Sequence, residues 1–154
     1  MTGRALILAA AGGSAALLIA ALGSQYIGGL APCELCIWQR WPHLAAVVAG
    51  ALALSWAGPV PAALGATSAL VASGLGIHHT GVERGWWAGP DACGSPGDIS
   101  ALTPEELLSQ ILAAPVVRCD EVAWAFLGLS MASWNAILSL GLAGLWVAAI
   151  LRPR

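Results

Sequence analysis

Four long apolar runs with little charge between them decide what this chain can fold into. They cover residues of about 5–27, 42–57, 62–79 and 131–151. A helix of about 20 apolar residues crosses a bilayer with its backbone N–H and C=O groups bonded internally, and few other structures can do so. The 154 residues are 58% hydrophobic and 9% charged, where a soluble domain carries about 25% charge. No nucleic-acid partner is expected. The expected fold is an all-α membrane protein, a single domain built as a four-helix transmembrane bundle in the lipid bilayer. Gly12, Gly13, Ser14, Ala15 and Ala16 in the first run, and Gly141, Ala143 and Gly144 in the last, let helix backbones approach closely in lipid. The first run exceeds the apolar core of a cleavable leader, about 7–15 residues, and reads as a retained span.

Arg4, Arg152 and Arg154 flank the terminal ends of the first and last runs, while Arg40, Arg84 and Arg118 lie on the other side. Long loops count for little in the positive-inside rule, and Arg84 and Arg118 belong to the long loop of about 81–122. The remaining bias puts both termini in the cytoplasm. All eight acidic residues then lie outside, and so do Cys33, Cys36, Cys93 and Cys119, where disulfides persist.

Between the first two runs stands Pro32-Cys33-Glu34-Leu35-Cys36-Ile37-Trp38-Gln39-Arg40. Two cysteines three residues apart lie within one helical turn of each other, within reach of a disulfide. Pro32 suits a first helical turn and would put Cys33 at a helix N-terminus, where the helix dipole favours the reactive thiolate. Cys36, Arg40 and His43 follow at i, i+4 and i+7, on one helix face. An arginine at membrane depth is costly enough to be a functional candidate. Pro42 clashes with the carbonyl of Trp38 in an unbroken helix, so a kink or restart is expected there.

The third run ends in His78 and His79, which offer metal ligation, proton carriage or a plain interfacial role. Trp86 and Trp87 look like interface anchors. Cys93 sits among Gly89, Pro90, Gly94, Pro96 and Gly97, an exposed setting for a thiol. Thr103-Pro104-Glu105-Glu106 reads as a capped helix start, and Leu107, Leu108, Ile111 and Leu112 give a helix of about 103–112 an apolar side to lay on the membrane. Ser130 is the expected N-cap of the last span.

Four cysteines allow three pairings. Proximity favours Cys33 with Cys36, which leaves Cys93 with Cys119 as a reactive disulfide or a structural staple. Zinc held by the cysteines with His78 and His79 is the competing use. No metal is expected, because the second pair lacks C-x-x-C spacing.

The run Pro-Cys-x-Leu-Cys-x-x-Gln-Arg resembles the disulfide bond formation protein B (DsbB) family of bacterial inner membranes. So do Cys119-Asp120-Glu121 with Trp124, Phe126-Leu127-Gly128-Leu129-Ser130-Met131 and Trp134, and His79-Thr80-Gly81-Val82-Glu83 with Gly89-Pro90 and Cys93. The match runs through nearly the whole chain, in order. The resemblance implies a thiol:quinone oxidoreductase that reoxidises a periplasmic DsbA-like thioredoxin-fold oxidase and delivers the electrons to ubiquinone or menaquinone of the membrane pool. It implies that Cys93 meets the partner, Cys119 passes electrons to Cys33, and Cys36 faces the quinone. Arg40 takes the place of the family's quinone-site arginine, and His79, or His78 beside it, that of a quinone-site histidine. A vitamin K epoxide reductase-like enzyme also joins four helices, dithiols and a quinone, but its C-x-x-C normally lies on a later span. A non-enzymatic membrane subunit with structural or zinc-bound cysteines is the remaining reading.

Overall fold

The computed structural model describes residues 2–56, 58–90, 103–105, 108 and 117–152. Among these, four long helices follow one another: α1 (Gly3–Tyr26), α2 (Glu34–Ser55), α3 (Val60–Glu83) and α4 (Met131–Ile150). Each begins where local chemistry lets it. The Thr2 hydroxyl accepts from the Ala5 N–H, α3 carries proline in its first turn, and the Ser130 hydroxyl caps α4 by accepting from the Ser133 N–H, as its sequence position suggests. α1, α3 and α4 are long and apolar enough to cross a membrane. Leu8, Ile19, Leu64, Val71 and Leu140 are exposed on them, which is where lipid would lie.

The helices close a ring in which α1 packs on α2 and α4, and α3 packs on the same two, leaving α1 and α3 as a diagonal that barely touches. Small residues make the ring tight. Toward the chain termini the fully buried indole of Trp146 fills a core of alanines together with Leu6 and Ile7. A Cβ on Gly65 would stand 2.5 Å from that indole. Toward the dithiol end, α3 and α4 come closer still. A Cβ on Gly76 would stand 2.8 Å from the backbone nitrogen of Ala136. Ser73 Oγ donates to the Ala136 carbonyl at 2.9 Å, and the hydroxyls of Thr80 and Ser133 meet at 3.0 Å.

Two features differ from the sequence expectation. α2 starts eight residues before Pro42 and runs through it without a break, so the dithiol turn and the apolar stretch form one helix. Only the carbonyl one turn back loses its partner to a proline, and packing on α1 and α3 holds the rest. A short hairpin also precedes α4. β1 (Ala125–Phe126) pairs antiparallel with β2 (Leu129–Ser130). Its two-residue turn has positive φ at Leu127 (51°) and Gly128 (77°), a turn whose twist matches the strands and which glycine eases. Trp134 Nε1 donates to the Phe126 carbonyl at 3.0 Å and ties the hairpin to α4. Cys93 and residues 106, 107 and 109–112 of the expected interfacial helix of 103–112 lie outside the described residues.

Candidate functional site

Cys33 is the N-cap of α2, with Pro32 just before the helix rather than in its first turn. Its sulfur accepts the Cys36 backbone N–H at 3.2 Å. That places Cys33 Sγ over the positive end of the helix. Cys33 and Cys36 are free thiols with their sulfurs 2.8 Å apart. Two full negative charges at that separation repel, so the pair gives up its protons as a unit, one at a time.

Cys119, by contrast, is held in a disulfide. It is fully buried and shares one apolar cluster with Cys33, Leu35 and Val82, against which Cys36 and Val117 pack. The segment that carries it is clamped from both sides. Arg118 Nε and Nη2 donate to the two carboxylate oxygens of Asp120 at 2.9 and 2.5 Å. That hydrogen-bonded pairing holds the Asp120 carboxyl below the usual carboxylate range.

His79 joins the two cysteine centres. Its Nε2 lies 3.6 Å from Cys33 Sγ, and the ring hydrogen-bonds to the backbone of Cys119. Nδ1 faces Gln39 Nε2 at 2.8 Å. Gln39 Oε1 accepts from Asn135 Nδ2 at 2.7 Å, and Asn135 Oδ1 meets His43 Nε2 at 2.8 Å. The diagonal pair α2 and α4 is thus joined through the bundle centre by hydrogen bonds among buried polar side chains. His78, one residue earlier, faces elsewhere. Its ring stacks on Trp87 at 5.7 Å, and Trp87 Nε1 donates to its carbonyl.

A cavity of about 240 Å³ opens beside the dithiol. Cys33, Cys36, Arg40, His43 and His79 line it, with Leu17, Leu18 and Trp134 as apolar wall. Arg40 Nη1 donates to Gln25 Oε1 of α1 at 2.6 Å, which turns the guanidinium into the bundle. Among the described residues, Arg40 Nε and His43 Nδ1 are buried without a partner. Glu83, which receives a hydrogen bond from the Ser130 hydroxyl, closes one side.

The structure therefore brings Cys33, Cys36, Cys119, Arg40 and His79 together, leaves His78 outside the cavity, and does not describe Cys93. Gln39, Asn135 and Gln25 were not singled out as site residues from sequence. Their signal was legible as polar amides within or beside apolar runs, which must find partners in a bundle interior. Among the described residues, the ligand atoms of Cys33, Cys36 and His79 lie within 4.8 Å of one another, close enough for a metal.

The family model for Disulfide bond formation protein DsbB matches residues 3–149. A Disulfide bond formation protein B of Methylococcus capsulatus is 38% identical over 83% of this chain and 82% of its own length. One of Xanthomonas oryzae pv. oryzae is 35% identical over 86% of this chain and 80% of its own. One of Stutzerimonas stutzeri is 30% identical over 97% of this chain and 95% of its own. No solved structure matches the chain. The two cysteine centres sharing one buried cluster are thus accompanied by a match along almost the whole sequence, and the chain belongs to the DsbB family of disulfide bond formation proteins.

Proposed function

We propose that the chain is a membrane protein-dithiol:quinone oxidoreductase, which regenerates a DsbA-like thiol oxidase and sends its electrons through two cysteine pairs to the quinone pool. The observation that carries this reading is the shared cluster of Cys119, Cys33 and Cys36 against His79, beside a cavity that Arg40 lines. α2 counts as the fourth span, and the chain lies in the bacterial inner membrane with both termini cytoplasmic and the cysteines periplasmic.

A thiolate of the reduced partner attacks Cys93 in its disulfide with Cys119, and Cys119 leaves as thiolate. The partner's second thiolate resolves this mixed disulfide and releases Cys93 reduced. Cys119 then attacks Cys33 of an oxidised Cys33–Cys36 pair, expelling Cys36 as thiolate, and Cys93 displaces Cys33 to restore the loop disulfide. Each exchange is a thiolate attacking one disulfide sulfur while the other leaves. Closing Cys33 and Cys36 into a disulfide then releases two electrons and two protons.

The cavity fits a quinone ring. Its apolar wall suits a planar ring, and the unpartnered Arg40 Nε–H and His43 Nδ1 belong to residues that line it. Quinone, when bound, is the acceptor of the two electrons and two protons. Arg40 would hold a ring oxygen and stabilise the negative charge developing there, while Cys36 faces the ring.

The test is anaerobic addition of reduced DsbA-like partner and a soluble quinone to the purified protein, following quinone absorbance. Stoichiometric quinone reduction and partner oxidation are expected, and both should be lost in Cys93→Ala. Reduction that survives Cys93→Ala would refute the route.

A further inference from the structure

Two backbone carbonyls decide how the buried amides point, and the amides decide the histidines. A carbonyl only accepts, so the Gln39 atom 3.1 Å from the Leu35 carbonyl is Nε2. The same Nε2 reaches His79 Nδ1 at 2.8 Å. An amide nitrogen carries two hydrogens and serves both. Nδ1 of His79 must therefore present a lone pair, which leaves the ring hydrogen on Nε2. With Nδ1 occupied, the bond to the Cys119 backbone falls to Nε2 and its acceptor is the carbonyl, beside Cys33 Sγ at 3.6 Å.

The same logic runs through α4. The Ala72 carbonyl, 3.3 Å away, holds Asn135 Nδ2, whose other hydrogen goes to Gln39 Oε1 at 2.7 Å. Asn135 Oδ1 is then the atom that faces His43 Nε2 at 2.8 Å, so this nitrogen bears the hydrogen. Ser139 Oγ lies 3.4 Å from both Asn135 Oδ1 and His43 Nε2, and donates to the amide oxygen. His43 Nδ1, buried and without a partner among the described residues, belongs to a residue lining the cavity and keeps a bare lone pair.

We propose that Gln39 and Asn135 are positioning residues that lock His79 and His43 as neutral Nε2–H tautomers. His79 thereby offers an N–H to the two cysteine centres, and His43 offers an acceptor to the cavity. His79 then shares its one N–H between the Cys119 carbonyl and Cys33 Sγ, and does not take a proton from Cys33. His43 Nδ1 receives a hydroxyl of the reduced acceptor, a clause that rests on the proposed function, whereas the tautomers do not. An Nε2–H cannot ligate a metal, which separates the Cys33, Cys36, His79 cluster from a zinc site.

The experiment is nitrogen NMR of the full chain, labelled with ring-15N histidine and reduced, in lipid nanodiscs. Assignment uses His78→Gln and His43→Asn. In the wild type both buried rings should show a protonated Nε2 and a bare Nδ1. Gln39→Glu should switch His79 to Nδ1–H, because a carboxylate only accepts, and leave His43 unchanged. Asn135→Leu should release His43 into a tautomer mixture and leave His79 Nε2–H, because the Leu35 carbonyl still holds Gln39 Nε2 toward it. A wild-type His79 or His43 protonated at Nδ1, alone or with Nε2, would overturn the proposal. So would a His79 that stays Nε2–H in Gln39→Glu. If Asn135→Leu does not fold, the wild type and Gln39→Glu decide. Expected tautomers in a protein that fails to reduce quinone would support this assignment and count against the catalytic reading alone.

Discussion

Gly76 and Gly74 sit two residues apart on α3 and face opposite worlds, which makes them a matched pair. A Cβ on Gly74 meets nothing within 4 Å. A Cβ on Gly76 would stand 2.8 Å from Ala136 N, 3.0 Å from Ala132 O and 3.0 Å from Ala136 Cα. All three are backbone atoms of α4 and cannot rotate away. To reach ordinary contact, α3 and α4 must part by about 0.5 Å, an overpacking strain of about 1–3 kcal/mol. Alanine also gains about 1 kcal/mol of helix propensity over glycine, but at both sites, so it cancels in the comparison. For a chain of this size about 2–4 °C of melting temperature accompanies each kcal/mol, so Gly76→Ala should melt about 2–12 °C below Gly74→Ala. The separation falls next to Asn135, whose bond to the Ala72 carbonyl is already long at 3.3 Å. Quinone turnover should therefore drop in Gly76→Ala and hold in Gly74→Ala. Thermal melting of both variants in one detergent, with turnover measured on the same samples, is the assay. Equal melting temperatures would refute the close α3–α4 contact, and with it the reasoning from buried small residues.

Arg40→Ala should raise the quinone KM about 10–100-fold, the worth of one charge-assisted hydrogen bond, while a single turnover with the partner still reduces the cysteines; an unchanged KM would make Arg40 an anchor of α2. Cys119→Ala should let a mixed disulfide between Cys93 and the partner accumulate on non-reducing gels, and trapping that persists in Cys93→Ala would reverse the two roles. Asp120→Asn should loosen the Arg118 guanidinium, leaving Glu121 Oε1 at 3.5 Å as its carboxylate partner, and speed tryptic cleavage after Arg118 about twofold or more. Protonating Asp120 does the same. The lowered carboxyl makes the clamp complete above the ordinary carboxylate pKa of about 4 and lost as pH falls through the depressed value.

The apolar helices α1, α3 and α4 and the dithiol turn were legible in the sequence because they rest on local and compositional rules. Apolar length sets α1, α3 and α4, Ser130 caps the last of them, and the three-residue cysteine spacing fits one turn. The placement of Arg40 and His43 beside Cys36 followed from helical spacing, and Pro42 did not spoil it. What only the tertiary structure decided is which polar group faces which across different helices. Nothing local distinguishes His78 from His79; the packing of α3 turns one onto Trp87 and the other onto Cys33 and Cys119. Gln39 and Asn135 are separated by 96 residues and meet only because α2 and α4 are diagonal neighbours in the ring. A sequence states that such amides need partners, since unbonded polar groups are costly in the bundle interior. The choice of partner belongs to helix packing, a long-range property that no local periodicity encodes.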